Sequence, residues 1–158
     1  MYAFTIPERK SAQDVLVSRE IDINAPRETV FEVVVDLKLF VELEENVKKV
    51  DIVSETKEGK GLKSRWELEN PSTGAHWVVH EEIVHYDKPH QYSYIGKADD
   101  GNDYAGTHTL SENEDGSTHL LFNEMFYFDA DPQALGEVVS GMLHKVKQEA
   151  ERRSARTA

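Results

Sequence analysis

Two glutamates and one histidine sit in strand-like runs that are otherwise mostly apolar or aromatic on the face they share. Glu81 lies in Trp77-Val-Val-His-Glu-Glu-Ile83, Glu124 in Leu120-Leu-Phe-Asn-Glu-Met-Phe126, and His108 in Tyr104-Ala-Gly-Thr-His-Thr-Leu110. Side chains two apart share one face of a strand. Glu81 therefore shares a face with Trp77, Val79 and Ile83, and Glu124 with Leu120, Phe122 and Phe126. A carboxyl removed from water has a raised pKa and can give or take a proton near neutrality. His108 shares its face with Tyr104 and Leu110, and an imidazole there could hydrogen-bond a ligand or act as a general base. The plainer alternatives are a register slipped by one residue, a carboxylate paired with Arg65 or Lys63 at a rim, and a structural histidine with its bonds satisfied.

The same parity puts Ser64 and Leu68 with Trp66, and Tyr92 with Tyr94. Together these faces are aromatic and apolar with few polar atoms. That is the make-up of a small-molecule pocket, and equally of a filled core.

Seven histidines invite a metal reading. His76 and His80 share a face but stand ~13 Å apart at ~3.3 Å per residue, too far for one ion. A site would need His80, His119 and an acid to converge from separate strands, so no metal is expected. No Gly-x-Gly-x-x-Gly, Walker loop or nucleophile elbow is present, and no cofactor is expected. Gly59-Lys-Gly61 reads as a turn without the helix a phosphate site needs.

Thirty acidic against 18 basic residues give a formal charge of −12. Phosphate backbones and anionic membrane surfaces are repelled, so nucleic acid is excluded as an expected partner. Without cysteine there are no disulfides, thiolate nucleophiles or cysteine-ligated zinc. No apolar run nears the ~20 residues that span a bilayer, so integral membrane association is not expected. Pro7-Glu8-Arg9-Lys10 interrupts the N-terminal stretch where a signal peptide would be apolar, which makes the cytoplasm the expected compartment.

The elements that must position these residues are legible in order. A chain of 158 residues is most simply one domain. Residues 1–13 read as a flexible arm, 14–153 as the domain and 154–158 as a frayed tail. A first strand, 14–23, carries Val15, Val17, Arg19, Ile21 and Ile23 on one face. Pro26 opens a helix whose face is Val30, Phe31, Val34 and Val35, although Val33-Val34-Val35 has strand preference. A second short helix, 37–45, presents Leu39, Phe40 and Leu43, with Glu42, Glu44 and Glu45 as a solvated face. Strands at 47–56, 62–69, 75–86, 90–97, 103–112 and 117–128 follow, separated by turn clusters at hairpin spacing. Asp131-Pro132 starts the last helix, with an apolar stripe of Leu135, Val138, Val139, Met142, Leu143, Val146 and Ala150. Gly136 and Gly141 weaken that helix and leave room for a close approach.

This order resembles the START-like superfamily, also called the SRPBCC or helix-grip fold, and within it the polyketide cyclase/dehydrase-like branch. The resemblance rests on Ile21-x-Ile-x-Ala-Pro-x-x-x-Val-Phe-x-Val-Val-x-Asp36, Glu45-Asn46-Val47-x-x-Val50, Gly61 before Trp66, and Glu81-x-Ile83-x-x-Tyr86-Asp-Lys-Pro89. Leu110, Asp115-Gly116-Ser-Thr118 and the closing helix complete it. Phe40-Val41-Glu42-Leu43 stands where the family usually shows a Tyr-Pro-x-Trp-like segment.

The resemblance implies an α+β fold, a curved antiparallel sheet wrapped around a long C-terminal helix, with two short helices after strand 1. It also implies a cavity between sheet and helix. Its expected ligand-binding residues are Trp66, Trp77, Val79, Ile83, Tyr92, Tyr94, Tyr104, Phe122, Leu135, Val139 and Met142. The expected function is binding of a small hydrophobic or aromatic molecule such as a lipid, a quinone or a polyketide-like compound. A cyclase or dehydratase using Glu81, His108 or Glu124 is the enzymatic alternative, and a co-chaperone-like interaction module the third. Nothing in the sequence demands a dimer.

Overall fold

The computed structural model describes residues 6–157. Strand β1 (Val15–Ile23) leads into helices α1 (Arg27–Val34) and α2 (Leu39–Leu43). Strands β2 (Val47–Ile52), β3 (Lys63–Glu69), β4 (His76–Asp87), β5 (Gln91–Ala98), β6 (Tyr104–Glu112) and β7 (Thr118–Phe126) follow, and α3 (Pro132–Thr157) ends the chain. The seven strands form one antiparallel sheet in the order β1-β7-β6-β5-β4-β3-β2. Only β1 leaves the meander, to pair with β7. This is the expected helix-grip architecture.

Local chemistry sets the boundaries. Pro26 stands at the N-cap position of α1 without a side-chain cap, and Glu28 sits in the first turn, at the positive end of the helix dipole. Helix α1 buries Val30, Phe31, Val33 and Val34, so packing overrides the strand preference of its valines. Strand β2 stops at Ile52, short of the expected residue 56. There Ser54 turns back on the chain, donating to the Thr56 carbonyl at 2.6 Å and accepting from the Lys63 amide at 2.9 Å. Helix α2 is likewise shorter than expected. Helix α3 starts as its residues predict, with Asp131 Oδ1 accepting from the Gln133 amide at 3.1 Å. It continues helically to Thr157, through part of the stretch expected to fray; Ala158 lies outside the described residues.

Residues 1–5 of the expected arm also lie outside the described residues. Residues 8–14 are tied down. Asp14 accepts from the amides of Lys10 and Ser11 at 2.6 and 2.7 Å, and the Tyr127 hydroxyl donates to the Glu8 carbonyl at 2.7 Å.

The core lies between the sheet and the helices. Phe31, Leu120, Phe122 and Val146 are fully buried there, and truncating a buried leucine or phenylalanine to alanine typically costs about 2–5 kcal/mol. Gly136 makes the expected close approach. A Cβ there would stand 2.1 Å from the Arg19 guanidinium, which reaches under α3 and donates to Ser140 at 3.3 Å.

A register shift interrupts β2 between Val47 and Lys49, and on β4 strand parity holds until a bulge between Ile83 and His85. Beyond it Tyr86 pairs with Tyr92 and turns inward, where its ring meets Phe31 edge-on at 5.3 Å.

Candidate functional site

A cavity of about 250 Å³ lies between the inner face of the sheet, the α1–α2 segment and the first turns of α3. The sheet supplies Trp66, Leu68, Glu81, Tyr92, Tyr94, Tyr104, His108, Glu124 and Phe126. The helical side supplies Val34, Leu37, Phe40, Glu44, Val138 and Met142. Val138 was expected to be part of the buried stripe. It is instead 67% exposed, because at its height α3 stands over the cavity opening rather than over packed side chains.

The floor is built from two crossed side-chain pairs. In the cross-strand register Tyr94 faces Gly106, and Gly96 faces Tyr104. Glu81 is the next residue along from Gly96 on β4, and Glu124 the next from Gly106 on β7. Each tyrosine ring lies across the glycine of the neighbouring strand and reaches the glutamate beyond. Tyr104 donates to Glu81 Oε2 at 2.5 Å, and Tyr94 donates to Glu124 Oε2. The glycines are required for this. A Cβ at Gly96 would stand 2.2 Å from Tyr104 Cζ, and one at Gly106 would stand 2.6 Å from Tyr94 Cζ. The sequence signal for this floor is Tyr94-Ile-Gly96 and Tyr104-Ala-Gly106, two Tyr-x-Gly triplets on adjacent antiparallel strands, which strand parity alone does not single out.

These surroundings set the titration of the site. Burial pushes the Glu81 carboxyl up to about 7, against the opposing hydrogen bond from Tyr104. Burial pushes Glu124 up to about 8, opposed by the bond from Tyr94 and assisted by the charge of Glu81. Burial, reinforced by these carboxyls, raises all three tyrosines well above the ordinary phenol value. The carboxyls are thus groups that change charge near neutral pH, held against phenols that do not. Pairing with Arg65 does not occur: Arg65 stands 3.5 Å from Glu67 instead.

His108 lies sandwiched between Phe122, with ring centroids 4.2 Å apart, and Tyr92 at 5.1 Å. Burial pushes it down to about 3, so the ring is neutral at pH 7. It offers hydrogen bonds rather than the neutral-pH base expected as an alternative, and its buried Nδ1 has no partner. Trp66 stands on the opposite wall, its indole donating to Ser64 at 2.9 Å and its ring 6.3 Å from Phe40.

Of the other expected lining residues, Val79, Ile83, Phe122 and Val139 are buried in the core beneath the cavity rather than on its surface. Trp77 and Leu135 pack against that core from its edges. Glu44 was expected on a solvated helix face and faces the cavity. Helix α2 ends at Leu43, and Glu44 has extended dihedrals, φ −111° and ψ 116°, so the helical period no longer sets its direction. One Glu44 oxygen stands 3.3 Å from Lys145 Nζ, while the other, Oε1, is buried without a partner.

A larger recess of about 440 Å³ lies on the outer face, between residues 6–10 and strands β5 and β6. We place the candidate site in the inner cavity, because it gathers the half-buried carboxyls of Glu81 and Glu124 and the buried His108. The metal-type convergence considered for His80 and His119 does not form: they stand on β4 and β7, with β5 and β6 between them. His119 is held instead by Asp22 at 2.9 Å and Glu20 at 3.1 Å. Among the described residues no helix is long and apolar enough to cross a membrane.

Comparison with known proteins agrees with this architecture. A family model described as "Polyketide cyclase / dehydrase and lipid transport" matches residues 14–156. No curated protein matches the sequence. Among solved structures, the Zhui aromatase/cyclase from a Streptomyces species is similar over 89% of this chain and 95% of its own, with TM-score 0.66 and 18% identity. A START superfamily protein from Mycobacterium smegmatis is similar over 90% of this chain and 99% of its own, with TM-score 0.66 and 15% identity. A protein of Thermus thermophilus covers 88% of this chain and 99% of its own, with TM-score 0.67 and 19% identity. At these identities the likeness is one of fold.

Proposed function

The chain belongs to the polyketide cyclase/dehydrase and lipid transport family, and from that premise we propose that it binds a small hydrophobic or aromatic molecule in the inner cavity. The observation that carries this reading is the aromatic enclosure of a preformed space. Trp66, Phe40, Tyr92, Tyr94, Tyr104 and Phe126 surround about 250 Å³ whose polar groups are few and fixed. Drug-sized ligands occupy pockets of ~300–1,000 Å³. The volume here favours a compact body of one or two rings over a fully enclosed long acyl chain.

A second reading, a cyclase or dehydratase, is favoured by one specific observation. Glu81 and Glu124 titrate near neutrality and approach the tyrosine pair from opposite sides. In a dehydration the ionised carboxyl would take the proton next to a substrate carbonyl. The protonated one would give its proton to the departing hydroxyl, which leaves as water. The cavity would add orientation of the reacting chain.

Native mass spectrometry of the purified protein, with an organic extract analysed beside it, tests the binding reading. The expected result is a bound apolar molecule of ring type. Failure of a panel of one- and two-ring compounds to bind the ligand-free protein would overturn it. Turnover of a polyketide-like chain that is lost in Glu81→Gln or Glu124→Gln would establish the second reading.

A further inference from the structure

Resting on the ligand-binding reading, we propose that the cavity selects a hydrophobic organic cation, an aryl- or alkylammonium of one or two rings, over neutral and anionic molecules of the same shape. The first ground is the charge of its wall. Glu44, Glu81 and Glu124 all face the space, and among the described residues lining it there is no lysine or arginine. His108 is the one basic side chain there, and burial keeps it neutral. Lys145, on α3, reaches one oxygen of Glu44 at 3.3 Å, leaving Oε1 of that carboxyl buried without a partner.

The second ground is the donor count. An ionised carboxylate offers about four acceptor positions. In the floor each glutamate is given one tyrosine hydroxyl, from Tyr104 to Glu81 and from Tyr94 to Glu124. An ammonium group entering between them supplies both the missing donors and the missing counter-charge, and such charge-assisted bonds are the stronger class. A carboxylate or sulfonate ligand would instead set acceptors against acceptors, and its charge would oppose the ionisation of Glu81 and Glu124.

The third ground is the aromatic surface. Trp66 and the faces of Tyr92, Tyr94 and Tyr104 surround the same space, and an organic cation is attracted to such faces. The formal charge of −12 further draws cations toward the protein.

Isothermal titration calorimetry on the full chain at pH 7.5 tests this with three compounds of one shape: 2-naphthylmethylammonium, 2-naphthalenemethanol and 2-naphthoate. The ammonium is expected to bind about tenfold or more tighter than the alcohol, with naphthoate weakest. Ammonium binding should also release protons, read as an apparent enthalpy that changes with the ionisation enthalpy of the buffer. In Glu81→Gln/Glu124→Gln the alcohol should still bind, and the preference for ammonium should fall away.

Alcohol or naphthoate binding as tightly as the ammonium would overturn the selectivity while leaving the binding function in place. So would a preference that survives the double substitution. If none of the three binds, the ligand-binding reading itself fails, and this proposal with it. The wild-type comparison needs no variant to fold, and Glu44→Gln, at the opening, gives an independent check on the direction of the charge effect.

Discussion

Tyr104 reaches Glu81 from two strands away, and it does so by passing over Gly96, the residue between them in the sheet register. Tyr94 and Glu124 repeat the arrangement in the opposite direction across Gly106. A sheet position without a side chain is normally a weakness. Here the two glycines are the space in which the cavity floor is laid.

That relationship predicts a specific non-additivity. Gly96→Ala places a Cβ 2.2–2.6 Å from the Tyr104 ring atoms, and the ring can retreat only by giving up Glu81. The expected loss is about 1–3 kcal/mol, the usual range for overpacking. Chemical denaturation of Gly96→Ala, Tyr104→Ala and the double variant forms a cycle. The double variant should lose clearly less than the sum of the singles. Strict additivity would mean that the ring does not depend on the glycine.

The half-buried carboxyls of Glu81 and Glu124 predict a stability that declines toward alkaline pH. Glu81 and Glu124 have folded-state values raised to about 7 and about 8, above the ordinary 4.5. Between those limits the folded state holds protons that the unfolded state has released. The stabilising effect is therefore complete below about pH 4.5 and lost as pH rises through 7 and 8. Thermal melts from pH 5 to 9 should show this fall, and Glu81→Gln/Glu124→Gln should flatten it. A double variant with the same slope as the wild type would place the titrating groups elsewhere.

His108 predicts the opposite limb. Its folded-state value is lowered to about 3 from 6.5, so as pH falls below 6.5 the unfolded state takes up a proton that the folded state refuses. Its contribution to stability falls across that window. A phenyl ring fits the same stack between Phe122 and Tyr92 and cannot be protonated. His108→Phe should therefore gain stability relative to wild type on going from pH 7 to pH 4, read as a difference in melting temperature. No change in that difference would show that His108 is not excluded from protonation.

The fold was legible because its signals are local. Alternation in β1, hairpin turns such as Asp115-Gly116 and the Asp131-Pro132 helix start each act within a few residues. Strand parity also set the inner face, placing Trp66, Glu81, Tyr94, His108 and Glu124 toward the helix side. What parity could not give was depth. Val79 and Phe122 share that face but lie under other side chains, whereas Tyr104 and Glu124 lie on top.

The remaining departures come from backbone irregularities that no periodicity announces. The bulge after Ile83 turns Tyr86 inward, and the end of α2 at Leu43 turns Glu44 into the cavity. The crossed floor was hidden for another reason. It depends on which glycine faces which tyrosine across two strands, a fact of register rather than of either strand alone.

The most direct test of the inner cavity uses the two tryptophans, the only ones in the chain. Trp66 lines the cavity with its indole N–H fixed on Ser64, while Trp77 packs at the edge of the core outside it. In a ¹H–¹⁵N NMR titration with 2-naphthalenemethanol, the account predicts a saturable shift of the Trp66 indole signal, assigned through Trp66→Phe, with the Trp77 signal nearly still. If neither signal moves, or if Trp77 moves while Trp66 does not, the cavity is not the binding site.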